Sequence, residues 1–339
     1  MVQRLCLFIV CLWMHTSILC GNDGNPEEAP CVFREVWGYV YKGEEKWVNE
    51  GQCITDFVYF SAQINETGRI TDVPNPLPLS KRISPRARMH CAVSAPWNRS
   101  LMYWCLKKDA ETRLALINDV VHIASAFDGI QINLESIRPE EKEAFLSFLR
   151  DIKDKLPKKK ILSVTLPARV KAAKDAYDYK AIAHIADRIV LMAYDEHYRT
   201  GVPGTIASLR WCQRVCAFAK EMVEPAKLIM GIGLYGRVWQ RQEVAGALKY
   251  FQTLDLWKQH RPTVKRDVDG CPFFEYQQTV HAVAHYEDVQ SLKNKLRYYE
   301  QENVHGVGFW RIGQGPAALW KHIQAMENSS SIIDAHAGK

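Results

Sequence analysis

Residues 127–135, Phe-Asp-Gly-Ile-Gln-Ile-Asn-Leu-Glu, alternate apolar and polar side chains and end on a carboxylate. A period of two places Gln131, Asn133 and Glu135 on one face of a strand and leaves Asp128 out of phase. A helix signal follows at once. Pro139 opens a turn rich in Glu140, Glu141 and Glu143, after which Phe145, Phe148, Leu149, Ile152 and Leu156 recur at helical spacing. A strand that carries Glu at its C-terminal end and runs into a helix is the repeating unit of a (β/α)8 barrel, which keeps its catalytic groups at that end.

The rest of the chain alternates in the same way. Strands are expected at Glu35–Tyr41, Asp56–Ala62, Arg88–Ser94, Gly129–Glu135, Ile161–Pro167, Arg188–Tyr194, Leu228–Leu234 and Gly306–Trp310. These eight are spaced as βα units, except that residues 237–303 are too long for one loop and one helix. Within that stretch, Phe273–Tyr276 and His281–Tyr286 read as paired strands followed by an amphipathic helix at Asp288–Tyr299. The expected architecture is therefore an α/β (β/α)8 barrel over residues 31–325, with a small α+β insertion between the seventh and eighth strands. A tail follows at 326–339.

The 339 residues are ample for one such domain. A formal charge of +6 is modest. The basic run Lys153–Lys160 falls at a predicted helix C-terminus, where lysine is favoured by the dipole, so no nucleic-acid partner is expected. Residues 1–20 read as a secretory signal: Arg4 precedes the apolar stretch Leu5–Leu19, which is too short for a bilayer span. Ser17-Ile18-Leu19-Cys20 weakly resembles a lipobox, departing from it at Leu19, so a lipid on Cys20 is the one membrane attachment expected. Export permits disulfides, and Cys31 with Cys53 or Cys91 with Cys105 would each close a local loop, although spacing does not fix connectivity. Cys212 and Cys216, one helical turn apart, suit separate burial. The chain has no Cys-x-x-Cys spacing, and neither metal nor cofactor is expected.

These segments together resemble the family-18 glycoside hydrolases, whose fourth barrel strand carries Asp-Gly-x-Asp-x-Asp-x-Glu. Asp128, Gly129 and Glu135 match, while Gln131 and Asn133 stand where the family has aspartates. Leu191-Met192-Ala193-Tyr194-Asp195 resembles the Met-x-Tyr-Asp motif of the sixth strand. Leu234-Tyr235-Gly236-Arg237 resembles the end of the seventh, and Gly306-Val307-Gly308-Phe309-Trp310 the last strand with its tryptophan. Pro139-Glu140-Glu141, Leu162–Pro167 and Tyr194-Asp195-Glu196-His197 are most similar to the bacterial spore-cortex-lytic, YaaH-like subgroup.

The resemblance implies a hydrolase of N-acetylglucosamine-containing glycans; the signal segment adds export to the envelope or beyond, and a monomer is expected. Peptidoglycan is the first candidate, then chitooligosaccharide, then an N-glycan core. Glu135 would protonate the glycosidic oxygen, and the substrate's own acetamide would attack the anomeric carbon, an exception to paired-carboxylate catalysis. Asn133, Tyr194 and Asp195 would surround that acetamide, with Trp310 as the floor of the subsite. Asp128, Gln131, Tyr235 and Arg237 would line the substrate site, and Trp97, near a strand end, would stack on sugar. A neutral Asn133 offers no counter-charge to the oxazolinium ion, yet Asn-x-Glu also resembles the family-85 endoglycosidases, which are substrate-assisted hydrolases. A family-18 lectin that binds without turnover is the alternative, and transglycosylation is a third reading.

Overall fold

The computed structural model describes residues 29–240, 249–277, 279 and 282–326. The expected signal segment, Cys20 and nearly all of the expected tail lie outside the described residues. Eight parallel strands form one closed sheet: β1 (Glu35–Tyr41), β2 (Asp56–Ile64), β3 (Arg88–Ser94), β4 (Gly129–Asn133), β5 (Ile161–Pro167), β6 (Arg188–Met192), β7 (Leu228–Gly233) and β8 (Gly306–Trp310). Each pairs with its neighbours in chain order, and β1 pairs with both β2 and β8, which closes the barrel. Helices α1 (Arg99–Leu106), α2 (Glu111–Ile123), α3 (Lys142–Lys155), α4 (Tyr179–Ile185) and α5 (Leu209–Met222) pack outside, followed by α6 (Tyr250–His260) and α7 (Val289–Gln301).

The period of two sorts each strand into an outer and an inner core. Outward residues such as Val36, Val40, Ile130, Ile132 and Val164 join the helix-facing core with Phe145, Phe148, Leu149 and Ile152 of α3. Inward residues Trp37, Tyr39, Val58, Ala92, Val190 and Ile229 make a separate cluster within the barrel. Below that cluster, at the N-terminal ends of the strands, the interior is charged. Glu35 accepts from Arg88 (2.6 Å), from Arg188 (2.7 and 2.8 Å) and from Trp37 Nε1 (3.0 Å), and lies 3.3 Å from His305. Asp56 accepts from Arg88 (2.7 and 2.8 Å) and meets His90 at 2.8 Å. Gly129 is required beside this layer, because a Cβ there would sit 2.3 Å from His90 Nδ1 and 2.7 Å from the Ile161 carbonyl.

Two expectations need correction. The segments around 273 and 282 do not pair with each other. Ala282–His285 pairs antiparallel with Arg237–Gln240, and Pro272–Phe273 with Lys265–Arg266. The strand leaving β7 has unpaired backbone groups of its own, and 282–285 satisfies them, with Trp239 edge-on to His285 at 5.8 Å. Neither disulfide forms: Cys53, Cys91, Cys105, Cys212, Cys216 and Cys271 are free thiols. Cys91 and Cys105 are inside the outer core, where burial pushes their thiols up to about 12 and about 11, so they stay protonated and unreactive. Cys53 is exposed while Cys31 is buried beneath a short parallel pairing of Cys31–Phe33 with Ile323–Ala325.

Burial alone would raise Glu35, but the hydrogen bonds from His305 and Arg188 and the charges of Arg188 and Arg88 outweigh it and hold its carboxyl well below the usual carboxylate range. A depressed carboxylate stabilises the fold above its unfolded-state pKa, and that stability is lost as pH falls below about 4.3. Glu35→Gln is expected to cost about 3 kcal/mol at neutral pH and to flatten this acid limb. Urea melts of both proteins between pH 3 and 7 would check it. A variant whose stability follows the wild-type pH curve would refute it.

Candidate active site

Strands β1, β2 and β4–β8, or the turns that follow them, supply the side chains of the C-terminal mouth of the barrel. Glu135 lies two residues past the end of β4, solvent-accessible but crowded by the mouth. Asn133, the last residue of β4, is 8% exposed and donates to Glu135 Oε1 at 3.4 Å. Its own Oδ1 accepts from the Thr165 hydroxyl on β5, so the amide is held with its nitrogen toward the carboxylate. Beneath it, Gln131 is fully buried and donates to Ser163 Oγ at 3.3 Å, with its amide beside the Tyr39 hydroxyl of β1. Burial pushes that phenol well above its usual value, so it keeps its proton at any physiological pH.

The opposite wall comes from β6 and β7. Asp195, directly after Tyr194, has a φ of +60°, a left-handed conformation that aspartate tolerates better than most residues. The turn aims its carboxyl along the mouth, where Oδ1 accepts from Tyr235 and from Arg237 Nε at 3.1 Å. Burial and the Asp195 hydrogen bond raise Tyr235, fixing its phenol as a donor. Tyr194 meets Tyr235 edge-to-face at 6.2 Å. Both rings need Gly233, where a Cβ would lie 2.9 Å from Tyr235 Cε1 and 3.2 Å from Tyr194 Cβ. Burial, followed by the proximity of Tyr39, Tyr235, Glu135 and Asp195, pushes the Tyr194 hydroxyl well above its usual value. Trp310 closes the floor at the end of β8, edge-on to Phe60 (5.0 Å) and to Tyr39 (5.4 Å), and its peptide bond to Arg311 is cis.

The carboxyl of Glu135 is raised above the ordinary glutamate value. Partial desolvation is the largest cause, the Asn133 hydrogen bond opposes it, and the charge of Asp195 adds to it. The arrangement therefore offers a proton donor at the mouth, amide and phenol groups around it, and an indole floor. Among the described residues no group of His, Cys, Asp and Glu is placed to hold a metal.

Of the residues singled out from sequence, Gln131, Asn133, Glu135, Tyr194, Asp195, Tyr235, Arg237 and Trp310 converge here. Trp97 stands apart on the rim, 73% exposed in the loop between β3 and α1. Asp128 does not belong to the mouth. It precedes β4, and at about 3.3 Å per residue the five steps from Asp128 to Asn133 span roughly 16 Å. Its carboxylate accepts from the Met89 backbone N–H at 2.8 Å, tying β4 to β3 at the foot of the barrel. Tyr39, Phe60, Ser163 and Thr165 complete the site and were not singled out. Their signal was their inward phase on strands already assigned, a polar or aromatic side chain at each position facing the barrel axis.

A family model for glycosyl hydrolases family 18 matches residues 35–315. The cortical fragment-lytic enzyme of Bacillus cereus is 28% identical over 229 residues, covering 63% of this chain and 53% of that protein. The class V chitinase CHIT5b of Medicago truncatula is 22% identical over 272 residues, 69% of this chain and 71% of its own length. This chain thus spans about half the length of the cortex-lytic relative. The crystal structure of the Bacillus cereus spore cortex-lytic enzyme SleL shares the fold, with a TM-score of 0.69 at 23% identity over 89% of this chain and 78% of that one. With the family model matched from the first barrel strand to beyond the last, the chain belongs to family 18 of the glycosyl hydrolases.

Proposed function

We propose that this protein hydrolyses glycosidic bonds next to N-acetylglucosamine, with peptidoglycan as the first candidate substrate, by substrate-assisted retaining catalysis. The observation that carries the reading is Glu135: a carboxyl with a raised pKa, solvent-accessible, hydrogen-bonded to Asn133 and facing Asp195 across the mouth. The protonated carboxyl gives its proton to the glycosidic oxygen while the acetamide oxygen of the sugar on Trp310 bonds to the anomeric carbon. The leaving alcohol departs and an oxazolinium ion remains. Glu135, now a carboxylate, takes a proton from the water that attacks the same carbon, which restores the acetamide with retention.

Asn133 has a carbonyl with two lone pairs, one taken by Thr165. The other accepts the acetamide N–H and orients its oxygen for attack. Tyr194 keeps its proton and donates to the acetamide. Asp195, anchored by Tyr235 and Arg237, supplies a carboxylate near Glu135 for the developing positive charge. Export to the cell envelope fits this reading, as the cortex-lytic and sporulation-specific names of the relatives suggest.

Glu135→Gln is expected to lower kcat on chitooligosaccharides or muropeptides by about 10²–10⁴-fold while leaving sugar binding in place. A wild type that binds these sugars and turns over none of them would make the chain a lectin instead. Rate should fall as pH rises through the Glu135 pKa, with this basic limb above the ordinary glutamate value of about 4.3. Because Asp195 contributes to that elevation, Asp195→Asn should move the limb to lower pH; a limb that stays put or rises would remove Asp195 from the electrostatics. Thr165→Val frees the Asn133 amide to rotate and is expected to cost about tenfold or more in kcat, with Thr165→Ser restoring most of it. Equal loss in Val and Ser variants would assign Thr165 to packing alone.

A further inference from the structure

Outside the mouth, α1 and the loop after β4 border an open groove of about 400 Å3, lined by Arg99, Ser100, Tyr103, Trp104 and Arg138. Arg138 lies three residues beyond Glu135 on the same loop, so the groove and the proton donor share one piece of backbone. Its lining is cationic. Arg99 forms no ion pair or hydrogen bond with any described residue, and Lys107 lies above Trp104 (4.7 Å) and Tyr103 (5.8 Å). Arg138 stacks over Tyr103 at 5.4 Å while its Nη2 pairs with Glu141 at 2.7 Å. Tyr103 and Trp104 are 38% and 51% exposed. These rings already carry cations within stacking distance, which suits them to hold and partly desolvate a positive charge rather than to receive a neutral sugar face.

We propose that this groove binds a carboxylate substituent of the glycan whose N-acetylated sugar lies at Glu135. This inference rests on the hydrolase reading and narrows it to acidic glycans of the muramic-acid kind over neutral chitin-type chains. Arg99 makes the charge-assisted contact, because it is the one guanidinium in the groove with no carboxylate of its own. Lys107 adds long-range attraction, and the Glu141 partner holds Arg138 in place as a wall.

The test uses the full chain carrying Glu135→Gln, so that binding is read without turnover. Two probes are titrated by calorimetry at low salt: a tetrasaccharide alternating N-acetylglucosamine and N-acetylmuramic acid with free lactyl carboxylates, and the same sugar with those carboxylates amidated. The acid is expected to bind about tenfold more tightly than the amide. That preference should shrink as salt is raised and fall to within about twofold when Arg99→Gln is added. Lys107→Gln, at the exposed position just past the end of α1, should reduce it partially. Equal binding of acid and amide would overturn the proposal, as would a preference that survives Arg99→Gln. So would an Arg99 effect confined to binding of anionic phospholipid vesicles, which would make the patch a membrane contact. Failure of the wild type to cleave either muropeptide or chitooligosaccharide would refute the hydrolase reading alone and would leave the acid-to-amide ratio standing as its own result.

Discussion

Removing a carboxylate from water costs several kcal/mol unless partners replace its hydration, and the foot of this barrel depends on meeting that requirement at Glu35. Three cationic or protonatable groups from β3, β6 and the approach to β8 converge on that one side chain, and Arg88 passes the constraint on to Asp56 of β2. Five of the eight strands are thereby fixed in register at one end by charge geometry rather than by apolar packing. Arginine forks accept few orientations, so this arrangement is more specific than a greasy plug would be, though not necessarily more stable. Register set at the foot is transmitted upward by the pleat, and one residue of slip on any strand would turn its mouth-facing side chain outward.

The mouth obeys the opposite rule. Its inner layer is neutral: Gln131 against Ser163 and Tyr39, and Asn133 against Thr165. Two amides in place of two acids remove the need to share a proton between neighbours, and they leave Asp195 as the negative charge that acts on Glu135. The elevation of the Glu135 pKa then comes mainly from desolvation, a term set by how the mouth packs. The proton affinity of Glu135 is tied to shape here more than to neighbouring charge.

The strand phases and the alternation with helices made the barrel legible, because a two-residue period admits only two faces and the Phe145–Ile152 spacing admits only one helix face. The mouth was legible wherever a motif ended on or just after a strand: Glu135, Tyr194–Asp195 and Trp310. Asp128 was misplaced because a motif match records order along the chain and not which end of a strand a residue occupies. Thr165 and Tyr39 escaped notice since a lone hydroxyl in a strand has no local pattern; its meaning depends on which strand lies beside it. The pairing of 282–285 with 237–240 was hidden for the same reason, and buried thiols carry no sequence mark that separates them from bridged ones.

The pairing of Cys31–Phe33 with Ile323–Ala325 puts the first and last described strands side by side, immediately before Glu35 enters the barrel at its foot. The described chain thus enters and leaves the barrel at one pole, and the mouth that holds Glu135 opens at the other. Held to a surface by its leading end, the barrel would stand with its foot inward and its mouth facing outward. An attachment at that pole leaves the mouth clear.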